Sequence, residues 1–192
     1  MSPEQPLPFI PPCFKEVFEA LSRGRHISAY DPELYADLQL HFELYKHLFQ
    51  AMGFALEGNA RGFYYFEREG SASDSIEQAA IFLWIIVDWM ADKGMSISEQ
   101  ITLHDFVTAE LPHFQTDRYR SYMDRLKITD EASVRRLLLA MNRFGFLRTN
   151  NDYANFKFLP PIYRLLQAAE VVARVSDVEI GREDSGKDSR NE

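Results

Sequence analysis

The chain has 192 residues, enough for one large domain or two small ones, and its 46% hydrophobic and 26% charged residues exclude global disorder. A single cysteine, Cys13, excludes a disulfide framework and a cysteine-based zinc site and suits a reducing cytosol. The formal charge of -8 makes the whole chain a poor nucleic-acid binder, but the charge is uneven. Residues 1–116 carry 7 Lys/Arg against 17 Asp/Glu, residues 117–174 carry 11 against 6, and residues 175–192 carry 3 against 6.

The N-terminal residues show no basic and then apolar signal, so no secretory leader is expected. The longest apolar run, Ala79 to Val87, stops at Asp88, far short of the ~20 residues a spanning helix needs, so a soluble protein is expected. Residues 1–12, with Pro3, Pro6, Pro8, Pro11 and Pro12, read as an extended arm. Phe14, Val17, Phe18 and Leu21 then mark one face of a helix that Gly24 ends. Asp31-Pro32 starts the next helical stretch, with Asp31 as N-cap. Its apolar stripe of Leu38, Phe42, Tyr45, Leu48, Phe49 and Met52 runs to Gly53, with a break expected near Gln39. A hairpin follows, with strands around Phe54–Glu57 and Gly62–Glu67 joined by Gly58-Asn59-Ala60-Arg61, whose Gly and Asn would supply positive φ angles.

The small polar run Gly70–Ser75 marks a module boundary. A helix is expected from Ser75 to Lys93, closed by Gly94, and another within Ser96–Pro112, with Leu103, Phe106, Val107 and Leu111 on its apolar side. Residues 113–129 read as interrupted helix. Thr129-Asp130-Glu131 caps a helix to Phe144, stopped by Gly145. A second hairpin pairs Phe146–Arg148 with Tyr153–Phe158 across Asn150-Asn151-Asp152, and Pro160-Pro161 opens a last helix to Arg174. Residues 176–192 read as a disordered acidic tail.

A shift of 92 residues superimposes the two hairpin regions. Gly53-Phe54 falls on Gly145-Phe146, Gly58-Asn59 on Asn150-Asn151, and Tyr64 and Phe66 on Phe156 and Phe158. Tyr45, Phe49 and Met52 fall on Leu137, Met141 and Phe144, so the preceding helix keeps its apolar face. One shift that aligns stripe, stop glycine, turn and strand points to duplicated units. Each unit is helices followed by a hairpin folded on the last of them, a helix-turn-helix with a wing. The fold class expected is therefore mainly α with small β-hairpins (α+β), as tandem winged-helix domains. The division expected is an arm at 1–12, a first domain at 13–70, a linker at 71–75, a second domain at 76–175 and a tail at 176–192.

No catalytic or cofactor constellation stands out. His26, His41, His47, His104 and His113 show no ligand spacing, no phosphate loop is present, and the pair Asp88 and Asp92 reads as a solvated helix face. No metal or cofactor is expected, and no enzyme. The helix before the second hairpin carries Arg135, Arg136 and Arg143, with Arg148 and Lys157 on the hairpin. These five are the candidate DNA contacts, because that helix is the one such proteins lay in the major groove. A solvated charged face is the competing reading, and the equivalent first helix offers only Lys46 beside Glu43. Trp84, Trp89, Tyr64 and Tyr65 are the candidate anchors for a partner or a second copy, since aromatics are enriched in interface hot spots. The Trp pair lies on a helix apolar on nearly all sides, more than one small module would cover.

Arg23-Gly24-Arg25-His26-Ile27, Gly62-Phe63-Tyr64-Tyr65-Phe66, Asn142-Arg143-Phe144-Gly145-Phe146 and the stretch Tyr153 to Arg174 together resemble the MukE family, accessory subunits of bacterial condensins. The short N-terminal arm makes the MksE branch the closer fit. The resemblance covers residues 14–174 and implies a dimer of tandem winged-helix chains that binds the kleisin subunit of an SMC-type ATPase complex. It further implies a cytoplasmic, nucleoid-associated role in chromosome segregation and condensation or in plasmid defence, with weak or indirect DNA contact and no membrane. ATP hydrolysis would belong to the SMC partner. A free-standing winged-helix transcription regulator is the alternative, resting on the basic residues of 135–157.

Overall fold

A computed structural model of the chain describes residues 9–67, 74–150 and 152–167, the side chains of Asp74 and Ser75 excepted. Most of the expected arm (1–8), the end of the expected first domain (68–70), the start of the expected linker (71–73), Asn151, and the expected helix end and tail beyond residue 167 lie outside the described residues. The chain divides into two compact units, Met1–Gly70 with Arg143–Gly145, and Ser71–Asn142 with Phe146–Glu192. Both mix helices with a small antiparallel sheet, an α+β composition.

The first unit runs α1 (Phe14–Ser22), β1 (Ile27–Ser28), α2 (Pro32–Leu40), α3 (Phe42–Ala51), β2 (Ala55–Asn59) and β3 (Phe63–Glu67). The expected break between α2 and α3 falls at His41, two residues beyond Gln39. Pro32 opens α2, but Asp31 caps it with no side-chain hydrogen bond; its carboxylate pairs with Arg25 instead. The sheet order is β1-β3-β2, with Leu56 opposite Phe66 and Ile27 opposite Tyr64. The core gathers Val17, Leu21, Ile27, Leu38, Tyr45, Phe49, Leu56 and Phe66. Phe66 is its aromatic centre, edge-on to Phe49 at 5.0 Å and stacked on Phe54 at 4.9 Å. Such pairs add to the burial of the rings themselves.

The hairpin turn differs from the expectation. Gly58 and Asn59 lie within β2, and the positive φ belongs to Gly62 (79°) at the end of a loop of residues 60–62. Tyr64 stacks 3.2 Å from where a Gly58 side chain would begin, so Gly58 serves close approach rather than the turn.

The second unit runs α4 (Asp74–Asp92), α5 (Ile97–Gln100), β4 (Asp105–Val107), two single 3₁₀ turns at Thr108–Glu110 and Pro112–Phe114, α6 (Asp117–Arg125), α7 (Glu131–Arg143), β5 (Leu147–Thr149) and β6 (Asn155–Phe158). Residues 162–167 are helical again. The expected helix across Ser96–Pro112 is thus a single turn followed by a strand. Asp105-Phe106-Val107 reads exposed, buried, exposed, and Phe106 pairs opposite Phe156. Leu103 is 69% exposed, so the supposed helical stripe was a strand alternation carried by one residue. The sheet order β4-β6-β5 repeats that of the first unit. Phe106, Phe156 and Phe158 lie within 5.3 Å of one another, the first two stacked and Phe158 edge-on to both, and Phe82, Ile86, Met123, Leu137, Leu138 and Met141 are buried in the same unit.

The duplication is therefore closer in topology than in numbering. The offset of 92 holds for the stop glycines, whose φ values are 84° and 78°, and for the last strand, where Tyr64 and Phe156 each face the short first strand. The first strand of the hairpin slips by one, because Leu147 and not Arg148 stands opposite Phe158. A five-residue loop, 150–154, takes the place of the three-residue turn. The short strands are offset by only 79 (Ile27 to Phe106), and the extra residues that follow β4 include the two 3₁₀ turns.

Candidate functional site

Helix α7 is built to present one face. Asp130 starts it: the Ser133 N–H donates to Asp130 Oδ1 at 2.7 Å, and the Asp130 N–H donates to Ser133 Oγ at 3.1 Å. This is a reciprocal capping box with serine in the third position. The hydrogen bonds from Ser133 hold the Asp130 carboxyl below its ordinary range. Val134, Leu137, Leu138 and Met141 are buried. Ala132, Arg135, Arg136, Leu139 and Arg143 fall within an arc of about 100° on the opposite side, given 100° per residue. Arg135, Arg136 and Arg143 are exposed, and Leu139 is 51% exposed in their midst.

The hairpin loop meets this face. Tyr153 takes a positive φ of 61°, and the Arg135 guanidinium donates to the Asp152 carbonyl at 2.9 Å while lying 6.0 Å from the Tyr153 ring. A cleft results, lined by Glu131, Ala132, Arg135, Arg136, Leu139 and Tyr153. Arg135 is thereby held in place rather than free to sweep the solvent, which lowers the entropy lost when an anion binds it.

The five candidate basic residues do not form one patch. Arg135 and Arg136 line the cleft. Arg143 lies at the end of α7 with its guanidinium 5.3 Å from the Phe144 ring. Arg148 and Lys157 sit directly opposite each other on β5 and β6, and Asp105 stands opposite Lys157 on its other side. These three alternate with buried Leu147, Phe156 and Phe158, so they make a row on the outer sheet face. Like charges directly opposite are unfavourable, and Asp105 offsets that for Lys157.

The aromatic candidates carry contacts of their own. Tyr64 is half-buried between Tyr35 at 5.5 Å and Phe42 at 5.4 Å, and burial pushes its hydroxyl pKa up. Tyr65 lies 5.7 Å from the His26 ring on the other face of β3. Trp89 is half-buried with Lys93 Nζ 4.0 Å over its ring. Trp84 is half-buried on α4, whose Ala79, Ala80, Phe82, Leu83, Ile85, Ile86 and Met90 are buried. Between Ala79 and Met90 the uncovered part of α4 is thus narrower than its composition implied, namely Ile81, Trp84, Val87, Asp88 and Trp89. Asp88, expected on a solvated face, accepts a hydrogen bond from the Tyr119 hydroxyl at 2.7 Å and pairs with Arg118.

Sequence reasoning did not single out Leu139 and Tyr153, which complete the cleft. The signal was there for Leu139. It ends a run of three leucines on an amphipathic helix, and it is the one that falls on the arginine side.

In the first unit the matching helix face is different in kind. A cleft beside α3 is lined by Lys46, Gln50, Gly53, Phe54, Ala55, Leu56 and Glu57, with one cation and one carboxylate. Beneath α3, Asp37 accepts hydrogen bonds from the Cys13 N–H (2.9 Å), the Tyr45 hydroxyl (2.5 Å) and His41 Nδ1 (2.9 Å). Burial alone would raise its pKa, and these three donors outweigh that and lower it. The network ties the end of the proline-rich arm to α2 and α3. Among the described residues no cluster of His, Cys, Asp or Glu is arranged to hold a metal ion.

Residues 12–170 match the family model of the condensin complex protein MksE. The chain belongs to this family. Membership gives it an accessory role in a condensin complex and implies partner subunits there. The match spans both units described above, including α3, α7 and both hairpins. No curated protein matches the chain. No helix of the described residues is long and apolar enough to cross a membrane.

Proposed function

We propose that the chain is a non-enzymatic subunit that binds the kleisin of an SMC-type complex, acting as a homodimer of tandem winged-helix protomers. One observation carries the reading: both units within the family match repeat the succession helix, short strand, two helices, hairpin, with the short strand on the last hairpin strand. That succession is the layout of a winged helix, which supports domains at 13–70 and 76–175 joined through 71–75. The complex works in the cytoplasm at the nucleoid, organising or segregating chromosomes or restricting plasmids. DNA contact is weak or indirect and belongs to the exposed face of α7, since the cleft beside α3 mixes Lys46 with Glu57 of β2.

Co-expression with the kleisin-like protein encoded beside it is the test. The expected result is one co-eluting species in size-exclusion chromatography at about 0.15 M salt, where surface ion pairs alone are screened over about 8 Å. A chain that elutes apart from that protein sinks the proposal. The basic face of α7 favours a second reading, a free-standing transcription regulator. Selection from random duplexes decides it: an enriched operator, lost on replacing Arg135, Arg136 and Arg143 together by Glu, would favour the regulator.

A further inference from the structure

The cleft between α7 and the hairpin loop is formed by residues of the second unit alone, and its volume is about 570 Å³. That lies within the range of ligand-binding clefts, roughly 300–1,000 Å³. One wall is Tyr153, a bulky residue held at a φ of 61°, where L side chains are rare. Three hydrogen bonds fix it there. The Thr108 hydroxyl donates to the Tyr153 carbonyl at 2.6 Å, the Thr108 N–H to the Ala154 carbonyl at 2.8 Å, and the Tyr153 N–H to the Asn150 carbonyl at 3.2 Å. Strained residues that their surroundings over-determine in this way cluster at binding sites. The other walls include exposed Leu139 and the side chains of Arg135 and Arg136, which form no ion pair among the described residues.

The charges around the cleft select among anions. Arg135 and Arg136 are adjacent, but Glu131 lines the same cleft, Asp130 precedes it, and Asp152 precedes Tyr153. A DNA duplex carries a negative charge every ~1.7 Å of its axis, so it sets phosphates against those acids as well as against the arginines. A single carboxylate reaches the guanidinium groups without that opposition and matches their planar fork. The apolar wall points the same way. Leu139 follows Arg135 by four residues and Arg136 by three, so it stands about 5–6 Å from each along the helix surface. In an extended peptide, side chains two residues apart share one side and are spaced roughly 7 Å. An acid and an apolar residue at that separation fit the arginines and the leucine together.

We propose that this cleft docks an extended acidic segment of a partner protein, with a carboxylate on Arg135 and Arg136 and an apolar side chain two residues away against Leu139 and the Tyr153 ring. The inference goes beyond the subunit role proposed above and holds whether or not the kleisin is that partner. A weak DNA contact on α7 competes with the segment for the same two arginines and loses at physiological salt.

The test titrates the isotope-enriched full chain with two synthetic peptides of one composition, both with blocked ends. In Asp-Ser-Leu-Ser-Asp-Ser-Leu-Ser the acids and leucines share a side of the strand, and in Asp-Leu-Ser-Ser-Asp-Leu-Ser-Ser they face opposite sides. At about 0.15 M salt, where distant charges are screened, the first peptide should shift the amides of Ala132, Arg136, Leu139 and Tyr153 saturably. The second should bind about fivefold more weakly, because only one of its two side-chain types can reach the cleft at a time. Leu139→Ser should weaken the first peptide by a similar factor, and Arg136→Glu by about tenfold, since a charge-assisted hydrogen bond is lost. Both positions are exposed, and the melting temperature checks that both variants fold. Equal affinity for the two peptides, no saturable shift at those amides in the millimolar range, or indifference to both substitutions overturns the inference. A mixed-sequence duplex of about 20 base pairs supplies the last arm, long enough to cover the whole face. If it shifts the same four amides and displaces the first peptide at a lower concentration, the cleft belongs to nucleic acid and the inference fails. Co-elution with the kleisin is read separately, so either proposal can fail while the other stands.

Discussion

Gly145→Ala is expected to destabilise the protein by about 2–5 kcal/mol, well beyond the about 1–2 kcal/mol expected for Gly53→Ala at the matching position of the other hairpin. Both glycines end a helix in the left-handed region, at φ 78° and 84°, so both alanine variants carry the same backbone strain. They differ in what surrounds them. A Cβ on Gly53 meets nothing within 4 Å, whereas one on Gly145 lies 2.5 Å from the His26 carbonyl oxygen. That carbonyl cannot easily retreat. The His26 N–H donates to the Phe144 carbonyl at 2.9 Å, and His26 Nδ1 lies 3.1 Å from the same oxygen. Relief of the clash therefore breaks hydrogen bonds that hold Arg143–Gly145 to the first unit. For a chain of this size each kcal/mol lowers Tm by about 2–4 °C, so calorimetry should show a shift of up to about 20 °C for Gly145→Ala and no more than about 8 °C for Gly53→Ala. Equal shifts would mean that strain alone matters.

That contrast also marks how far the sequence could be read. The paired glycines, the apolar stripes of α3 and α7 and the two hairpins were legible, because periodicity and stop residues are local signals. What surrounds each glycine is not local, and nothing in Gly53-Phe54 against Gly145-Phe146 distinguishes an open position from one wedged on a carbonyl. The strand β4 was misread for a related reason. Leu103, Phe106, Val107 and Leu111 satisfy a helical spacing by chance, and three residues are too few for strand alternation to compete until β6 supplies the partner. The one-residue slip between the hairpins was hidden because both Phe146 and Leu147 are apolar and either could face inward. For the candidate site, the basic residues of α7 were named from sequence, but their division into a cleft, a helix end and an outer sheet row follows from pairing register. The polar interior was missed altogether. Asp37, His41 and Tyr45 looked like ordinary surface and core residues, and only the folded chain brings them to the Cys13 amide.

Acid should begin to destabilise the second unit before the carboxylates titrate, and His113 is the reason. Its side chain is fully buried, stacked on Phe82 at 4.1 Å, with Nε2 3.0 Å from the Phe82 carbonyl. An imidazole that donates from Nε2 keeps its other nitrogen, Nδ1, as a bare acceptor, and Nδ1 has no partner. The site thus suits a neutral ring and offers no group to stabilise a second proton. Burial lowers the pKa to about 4, with the Phe82 carbonyl pulling weakly the other way. The unfolded chain binds a proton near pH 6.5 and the folded chain does not, so stability is complete above 6.5 and falls between 6.5 and 4. The slope approaches about 1.4 kcal/mol per pH unit, for a loss of about 3 kcal/mol across the window. Asp37 acts later. Its lowered pKa contributes stability above the ordinary carboxylate value that is lost only as pH falls further. Urea midpoints followed by tryptophan fluorescence from pH 7.5 to 4.5 test the separation, since Trp84 and Trp89 both lie on α4, the helix that carries Phe82. In His113→Gln the baseline stability drops, but the slope above pH 4.5 should flatten by about one proton. An unchanged slope would place the acid-sensitive group elsewhere and leave His113 as packing alone.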